Sequence, residues 1–503
     1  MLTQLTSFAT LGLRSERITV EVGSTGGSNP DSANFFIVGL GDTAVQESKQ
    51  RVRMALRSSG YKFPTGRVIT VNLAPADIKK VGPRYDLAIA LGLLVAHGLT
   101  TIPEDGLKDT AFLGELALDG ALRHVSGVLP AAIAARRLGM KTLVVPALNG
   151  PEAALIPGLK VIAPENLKEL VEILQGDRLA PEILPPASSP AHSTDDYVDF
   201  SDIRGQATAK RALEIAAAGG HNVLMSGPPG SGKTLLARAF RGILPPLSQE
   251  EAIEVTQIYS VANLLPKDAP LIDERPFRLV HHTASGVSIV GGGQMPGPGE
   301  ISLAHRGVLF LDELAEFPAQ VLEVLRQPLE DRRITITRAQ GSVTFPADFI
   351  MVAAMNPPKF SAGSAQKIHR RISAPLLDRI DLTISVDAVP IVDLQKKKSE
   401  QSDTTAQILA RVCAARARQM ERFATLPIRT NKEMNVKHLD TLCPLDTNSE
   451  KLLLQAVDRL GLSARSYHRT IKVARTIADL GGSKEIALPH IAEALQYRQM
   501  IGD

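Results

Sequence analysis

The sequence predicts an α/β protein in which a central, doubly wound parallel sheet follows an N-terminal α/β domain and precedes a C-terminal helical lid. In the middle of the chain, short β-rich runs ("NVLMSG", "GVLFLDE", "DFIMVAAMN") alternate with helical stretches, as in a parallel sheet flanked by helices. Residues 178–198 combine four prolines with serines and acidic residues and lack an apolar period, which is typical of a linker. After residue 390, apolar residues recur at spacings of three and four, which predicts helices.

These patterns predict four segments along the 503 residues. They are an N-terminal domain (1–177), a linker (178–198), a central domain (199–390) and a C-terminal helical domain (391–503). A chain of this length is too long for a single hydrophobic core, and its 44% of hydrophobic residues is enough to build several.

Composition excludes some classes of protein and leaves others open. The apolar run "YDLAIALGLLVA" (85–96) is about half a membrane span in length, and the N-terminus lacks a basic region followed by an apolar core, so we expect a cytoplasmic protein with no membrane insertion. Cys413 and Cys443 lack metal-ligand spacing and are expected to be packing residues. The net charge of +3 is too small to indicate nucleic-acid binding by itself, so any such signal must be local.

The segment "GPPGSGKT" follows the apolar run 223–225 and opens the helical pattern "TLLARAFRGIL". Its glycines allow backbone N–H groups to turn towards phosphate oxygens, Lys233 can reach the β and γ phosphates, and the Thr234 hydroxyl can bind Mg²⁺. The start of the helix adds its positive end. The predicted nucleotide-binding residues are Gly227, Pro228, Pro229, Gly230, Ser231, Gly232, Lys233, Thr234 and Leu235.

Acidic and amide side chains follow two further apolar strands. In "GVLFLDELAE" (307–316), a buried strand presents Asp312 towards Mg²⁺ and Glu313 towards a water molecule that attacks the γ phosphate. The alternative is that Asp312 only caps the next helix. The strand "FIMVAAMN" ends at Asn356, whose amide suits the orientation of that water, or which is only a turn residue before a proline.

The order of these motifs, followed by "SAPLLDRIDL" (373–382) and "LSARSYHR" (462–469), resembles that of the AAA+ ATPases. The resemblance implies an arginine finger at Arg379 and a sensor 2 residue at Arg465, with ATP and Mg²⁺ as cofactors. A finger arginine acts on the nucleotide of a neighbouring subunit, so the resemblance also implies a ring. The alternative for either arginine is a surface ion pair.

Two insertions narrow the choice within that superfamily. "SGVSIVGGGQMPGPGE" (285–300) is too rich in glycine and proline for a long regular element and resembles the helix 2 insert. "RRITITRAQGSVTF" (332–345) alternates apolar and polar residues on both sides of a polar turn, which predicts a β-hairpin with Arg338 and Gln340 near its tip. Such insertions resemble those of the clade containing magnesium chelatase motors and replicative helicases, in which both face the central channel. The alternative is a hairpin that packs on a neighbouring subunit.

Across essentially the whole chain, segments such as "FFIVGLGDTAVQESKQRVRMAL" and "GEISLAHRGVLFLDELAEF" resemble the ComM (YifB) family of magnesium-chelatase-like ATPases. The resemblance implies a hexameric DNA helicase that promotes branch migration in natural transformation. It also implies DNA as a partner, contacted by Arg338 and Gln340. The open alternatives are a chelatase-like remodeller of a protein and a Lon-like ATP-dependent protease.

One segment departs from the family pattern. Many relatives carry a CPCG-type cysteine segment after the asparagine strand, whereas this chain reads "NPPKFSAGSAQKIHRR" and has no cysteine there, so a zinc-stabilised loop is not expected. Lys359, Lys367, Arg370 and Arg371 make the segment basic, which suits either phosphate contact or a solvated loop.

The N-terminal domain resembles the proteolytic domain of Lon proteases (ribosomal S5 domain 2-like) in "KKVGPRYDLAIAL" and in residues 110–147. Lon chemistry needs a serine and a lysine, but this chain has Arg84 and Leu129 at the matching positions. Ser126 and Lys141 lie nearby in sequence and keep the protease alternative open. Without protease activity, the domain is expected to form contacts between subunits of the ring, to guide DNA or to bind a partner.

Overall fold

The computed structural model describes most of the chain. It covers residues 2–27, 33–186, 198–266, 270–293, 296–338, 341–356, 372–388 and 403–498. The contacts divide the chain into two compact units. The first unit contains Met1–Ser189 and Gln249–Asp273, and the second contains Pro190–Ser248 and Glu274–Asp503.

The described strands are β1 Leu2–Leu11, β2 Arg14–Gly26, β3 Ala33–Val38, β4 Arg67–Ala74, β5 Thr110–Phe112, β6 Glu115–Leu116, β7 Leu122–Arg123, β8 Thr142–Val144, β9 Lys160–Ile162, β10 Val223–Ser226, β11 Phe277–Val280, β12 Gly291–Gly292, β13 Gly297–Pro298, β14 Val308–Leu311, β15 Arg333–Arg338, β16 Gly341–Pro346, β17 Ile350–Met355 and β18 Leu382–Ser385.

The described α-helices are α1 Thr43–Ser58, α2 Asp86–Ala96, α3 Glu104–Leu107, α4 Val128–Arg137, α5 Gly150–Ala153, α6 Leu167–Gln175, α7 Ala207–Gly219, α8 Lys233–Gly242, α9 Gln249–Val261, α10 Gly286–Val290, α11 Glu300–Leu303, α12 Ala319–Val324, α13 Arg326–Asp331, α14 Ala374–Leu377, α15 Thr405–Arg422, α16 Val436–Leu442, α17 Thr447–Leu460, α18 Ala464–Leu480 and α19 Leu488–Gln496. None of these described helices has the length and apolar character needed to cross a membrane.

The first unit is built on a seven-stranded mixed sheet of order β3-β4-β2-β1-β5-β8-β9. Strand β2 is antiparallel to both β1 and β4, and the remaining pairs are parallel. Helix α2 is apolar on nearly every face and is buried along its length, as an apolar helix must be in water. Helix α9 packs on α4 within this unit, where the Gly127 N–H donates to Ser260 O at 3.1 Å.

The second unit is built on a five-stranded parallel sheet of order β11-β14-β17-β10-β18, flanked by helices. This confirms the predicted parallel sheet. Strands β14 and β17 are buried along their whole length, which explains why both read as uninterrupted apolar runs. The carboxyl ends of these parallel strands lie at one edge of the sheet, where the predicted phosphate loop, acidic pair and asparagine all follow their strands.

The predicted C-terminal helical region is also confirmed. Helix α15 begins with a capping box in which the Thr404 hydroxyl accepts from the Gln407 N–H, and the Gln407 side chain accepts from the Thr404 N–H. Helices α15 and α18 both pack on α7, and their apolar residues share one core with the parallel sheet.

The predicted β-hairpin is confirmed as β15 and β16, which pair in antiparallel register from Arg333↔Pro346 to Arg338↔Gly341. Ile336 and Val343 lie opposite each other, and both are buried. Within residues 285–293 and 296–299, the described parts of the glycine-rich insertion, the regular elements are the short helix α10 and the two-residue strands β12 and β13.

Candidate functional site

The phosphate-binding loop leaves the central strand β10 and is packed tightly against its neighbours. The Gly227 N–H donates to Met355 O at 3.1 Å. A Cβ at Gly227 would lie only 2.0 Å from Val386 O, so this position accepts glycine alone. Gly230 and Gly232 have φ angles of +78° and +91°, the left-handed region that glycine adopts without strain. The loop thus excludes any side chain at Gly227 and favours glycine at Gly230 and Gly232 because of their backbone conformation.

Lys233 begins α8 and is only 8% exposed. Its ammonium donates to Gly227 O at 2.6 Å, Pro228 O at 2.8 Å and Asn356 Oδ1 at 3.3 Å. Burial lowers the pKa of Lys233, while the charge of Asp312 opposes that shift. The structure therefore brings the lysine of the phosphate loop into contact with the asparagine that follows β17.

Oxygen ligands suited to Mg²⁺ lie beside this lysine. The Thr234 Oγ1 is 3.5 Å from Asp312 Oδ2, and Asp312 Oδ1 accepts the Glu313 N–H at 3.0 Å. Hydroxyl and carboxylate oxygens are the ligands that Mg²⁺ prefers, and the glycine loop leaves backbone N–H groups at the start of α8 for phosphate oxygens. The residues present therefore fit a magnesium nucleotide.

The other predicted loop residues differ in exposure. Pro229 is exposed and 42% of Leu235 is exposed, whereas Ser231 is buried at 3% and its N–H donates to Pro228 O at 3.3 Å. The buried Ser231 shapes the loop from inside, and the two exposed residues lie on its outer side.

Glu313 adopts an unusual backbone conformation and has a partner that the sequence did not reveal. Its φ of +53° lies in the left-handed region, which is strained for a residue other than glycine. The Nδ1 of His282 lies 2.9 Å from Glu313 Oε2. Strands β11 and β14 pair with Val280 opposite Leu311, so the residues that follow each strand meet. The sequence alone does not reveal this contact, because only the strand order makes His282 a neighbour of Glu313.

Arg379 and Arg465 converge on a single acid. Arg379 forms an ion pair with Glu330, and Arg465 Nη2 lies 3.0 Å from Glu330 Oε1. The Arg379 side chain is only 8% exposed, and its buried Nε has no hydrogen-bond partner in the described structure. Burial alone would raise the pKa of Glu330, but the hydrogen bond and charge of Arg379 outweigh it and lower that pKa.

Both arginines line one cavity of about 480 Å³. Among its described lining residues, none belongs to the phosphate-binding loop or to β14. The charged side chains in the lining are the cations Arg332, Arg379, Lys432, Arg465, Arg469 and Lys472 and the acids Glu330, Asp381 and Glu433. The cavity therefore carries an excess of positive charge and suits an anionic group.

The two insertions touch each other. A Cβ at Gly291 would lie 2.7 Å from Ile336 Cδ1, and one at Gly292 would lie 3.0 Å from Arg338 Nη2. The glycines of β12 therefore let the hairpin approach closely, and Arg338 remains exposed at its end. Gln340 lies outside the described residues, as does the basic segment with Lys359, Lys367, Arg370 and Arg371.

Three family models match successive parts of the chain. The model described as "Magnesium chelatase, subunit ChlI" matches residues 199–394, "Subunit ChlI of Mg-chelatase" matches 20–149, and "Magnesium chelatase, subunit ChlI C-terminal" matches 402–498. Competence protein ComM of Haemophilus influenzae is 43% identical over 98% of this chain and 97% of its own. YifB of Escherichia coli, described as uncharacterized, is 41% identical over 97% of this chain and 96% of its own.

The chain belongs to the ComM/YifB family of magnesium-chelatase-like AAA+ proteins. Membership of this family implies ATPase activity and the use of ATP and Mg²⁺ in general. A more distant relative, the magnesium-chelatase 67 kDa subunit of Chlorobaculum parvum, is 29% identical over 205 residues, which is 40% of this chain and 28% of the relative.

The N-terminal unit of this ComM/YifB family member places other residues where Lon proteases have serine and lysine. Arg84 Nη2 donates to Ser126 O at 3.2 Å, and burial lowers the pKa of Arg84. Leu129 is fully buried. Lys141 is 80% exposed and forms an ion pair with Asp109 at 3.2 Å. At the two matching positions, a buried guanidinium and an aliphatic side chain cannot act as nucleophile and base.

Proposed function

We propose that this chain is an ATP-driven, hexameric ring helicase that translocates on DNA and promotes branch migration during homologous recombination in natural transformation. The relative named Competence protein ComM, similar along nearly its whole length, supports the biological setting. The observation that carries the mechanism is the contact between the two insertions, which presents Arg338 on a paired hairpin beside Gly292.

Within one subunit, each residue of the nucleotide site has a role that follows from its position. Lys233 would neutralise β and γ phosphate oxygens, and Thr234 and Asp312 would hold Mg²⁺. Bound there, Mg²⁺ would offset the charge that develops on those oxygens. Glu313 would take the proton of the attacking water, and Asn356 would orient that water.

The excess positive charge around Arg379 and Arg465 supports a nucleotide site that is completed between two subunits, with these arginines acting on the nucleotide of the neighbouring copy. Both arginines face a cavity whose described lining lacks the chain's own phosphate loop, and both are held by Glu330. We therefore infer that they leave Glu330 for the γ phosphate of the adjacent subunit. A planar guanidinium suits this exchange, because it binds carboxylate and phosphate oxygens in the same bidentate geometry.

Arg338 would contact the DNA backbone without reading its sequence. Guanidinium groups bind phosphate oxygens on any base sequence, which suits a protein that must move along every sequence it meets. Because the hairpin packs against β12, hydrolysis that shifts either insertion would move both, and with them the contact to DNA.

The Arg338→Ala substitution tests this proposal. We expect basal ATP hydrolysis to continue, while DNA-stimulated hydrolysis and displacement of a strand from forked DNA are lost. Arg333→Ala is the matched control, because Arg333 is also exposed but lies at the base of the same hairpin. Unchanged strand displacement by Arg338→Ala would remove the hairpin from the mechanism.

A protein-remodelling function is the second candidate, because the matching family models all describe a magnesium chelatase subunit. ATPase measurements with forked DNA, single-stranded DNA and unfolded protein as stimulants separate the two candidates. Stimulation by branched DNA alone favours the helicase, and stimulation by unfolded protein alone favours the remodeller.

A further inference from the structure

Three side chains with metal-binding atoms converge at the carboxyl ends of β11 and β14. Ligand atoms of His281, His282 and Glu313 all lie within 4.8 Å of one another. Among the residues that the structure describes, this is the one such group of at least three histidine, cysteine or acidic side chains. The parallel pairing of β11 with β14 holds it together, because both chain segments leave the sheet at the same edge.

The contacts inside this cluster favour a shared cation. The Nδ1 of His282 is buried and has no hydrogen-bond partner in the described structure, although it lies 2.9 Å from Glu313 Oε2. A buried polar nitrogen without a partner is unfavourable, and a cation between the nitrogen and the carboxylate would satisfy both. The imidazole rings of His281 and His282 lie with their centroids 4.1 Å apart.

His281 already has the supporting contact that a metal ligand usually has. Its Nδ1 lies 2.9 Å from the Thr283 hydroxyl. The Thr283 N–H also approaches this Nδ1, at 3.4 Å. In the tautomer with Nδ1 protonated, the hydroxyl accepts the hydrogen bond and Nε2 is the nitrogen available to a metal.

We propose that His281, His282 and Glu313 form a binding site for Zn²⁺ or a chemically similar transition metal. Two imidazole nitrogens and one carboxylate oxygen are a common protein ligand set for zinc, with a fourth position left for water. Tetrahedral ligands lie roughly 3.3 Å apart at zinc–ligand distances of about 2.0–2.1 Å, so the 2.9 Å nitrogen–oxygen contact requires only a small opening.

The proposed site would discriminate against Mg²⁺. Mg²⁺ prefers six oxygen ligands in octahedral geometry, which Thr234 and Asp312 suit and two imidazoles do not. The side chains can also adjust, since 28% of His282 and 44% of Glu313 are exposed. Zn²⁺ and Mg²⁺ would therefore bind at neighbouring but separate positions.

Metal binding at this site would inhibit ATP hydrolysis, a consequence that rests on the role proposed above for Glu313. A carboxylate bound to Zn²⁺ no longer accepts a proton from water at its normal rate, because the metal charge lowers its basicity. The metal site itself does not depend on that role.

Metal titration of the untagged full-length protein without nucleotide tests the site directly. Co²⁺ is expected to bind one equivalent per chain and to give the visible bands of a four-coordinate site without a thiolate charge-transfer band. Zn²⁺ should displace it. We expect His281→Ala and His282→Ala each to weaken binding by at least about a hundredfold, the upper range for residues that only support a ligand.

His124→Ala is the matched control, because His124 is an exposed histidine in the first unit. We expect the His124→Ala variant to bind metal with the affinity of the wild type. Thermal unfolding of each variant checks that the fold is retained. The proposal is overturned if no metal binds, if binding survives in both histidine variants, or if a thiolate band shows that a cysteine binds the metal.

ATPase assays at buffered Zn²⁺ concentrations test the inhibitory consequence. Each variant is compared with its own zinc-free rate. We expect the wild type and the His124→Ala control to lose hydrolysis over the concentration range in which they bind zinc, and His281→Ala and His282→Ala to keep it. Zinc binding without inhibition would overturn the inhibition but leave the metal site. Continued hydrolysis by Glu313→Gln without zinc would instead overturn the proposed function of Glu313.

Discussion

Asp381 holds the C-terminal helices to the parallel sheet, and replacing it tests that account of the second unit. The residue directly precedes β18 and is only 3% exposed. Its Oδ1 accepts from Arg469 Nη1 of α18 at 2.6 Å, and its Oδ2 accepts the Asn222 N–H at 2.9 Å. Asp381→Asn keeps the size of the side chain but removes the charge that faces Arg469.

The expected loss is large because the surroundings of Asp381 are strongly cationic. Removing one partner of a buried ion pair costs about 3–5 kcal/mol, since the other charge remains without compensation. Arg469 is 18% exposed, so solvent relieves part of that cost. Lys432 and Lys472 share the cavity with Arg469 and add repulsion once the carboxylate is gone. We therefore expect a loss of about 3 kcal/mol.

Denaturant titration of the full-length protein, followed by circular dichroism, measures this loss. The two units need not unfold together, so the transition of the second unit must be identified by its shift when magnesium and an ATP analogue are added. A double-mutant cycle with Arg469→Gln isolates the pair, and we expect a coupling energy of about 2–3 kcal/mol.

The pH dependence of the stability difference between wild type and Asp381→Asn is a second test of the buried ion pair. Burial alone would raise the pKa of Asp381, but the charge of Arg469, the contact with His221 and the charge of Lys432 together outweigh it and hold that pKa well below the ordinary value of 3.8. A lowered pKa in the folded state adds stability above 3.8 that is lost only as the pH falls through the lower folded value. The gap between wild type and Asp381→Asn should therefore stay constant from about pH 5 to pH 7. A gap below about 1 kcal/mol at neutral pH, or one that closes before pH 5, would show that Asp381 does not stabilise the second unit through a buried ion pair.

Three further predictions concern other parts of the chain. Gly227→Ala should abolish binding of a fluorescent nucleotide, because the added Cβ would lie 2.0 Å from Val386 O. Gly230→Ala is its control: the added Cβ would meet no atom within 4 Å, so the variant should cost only about 1–2 kcal/mol of backbone strain and retain nucleotide binding. Burial lowers the pKa of Lys472 from 10.5 to about 8, so the charged lysine destabilises the folded state and Lys472→Met should raise the midpoint of thermal unfolding at pH 7. This gain should shrink between pH 8 and pH 10.5, because the folded lysine loses its proton there before the unfolded one does. Gly291→Ala, at φ +99°, should displace the hairpin and reduce DNA-stimulated hydrolysis at unchanged nucleotide affinity; retained stimulation would contradict the packing of the two insertions.

The sequence predicted those parts of the fold whose signal is local. The run Val308–Leu311 is apolar at every position because it is buried on both faces, and Ile336 and Val343 alternate with polar residues because their hairpin has one buried face. The packing of α9 on α4 has no such signal. It depends on contacts between residues more than a hundred positions apart, which no window of sequence contains.

In the candidate site, too, the sequence predicted the residues with a local signal but not the contacts that depend on packing. The apolar runs predicted that the phosphate loop with Lys233, Asp312 and Asn356 each follow a strand, and the structure places the three residues together at one sheet edge. The contact of His282 with Glu313 and the burial of Arg379 depend on side-chain packing across strands and helices. A sequence pattern identifies the residue type at such positions but not its partner.

The contacts of Lys233 also determine how nucleotide would be sensed. An ammonium group has three protons, and here the carbonyls of Gly227 and Pro228 and the amide oxygen of Asn356 accept them. A phosphate oxygen must displace an acceptor, and the 3.3 Å bond to Asn356 is longer than the bonds to the two carbonyls, while Ser231 Oγ lies at 3.5 Å. Arrival of the triphosphate would then release the asparagine side chain at the moment when a water molecule needs to be oriented. Loading of the pocket and readiness for hydrolysis would thus be linked through a single exchanged hydrogen bond.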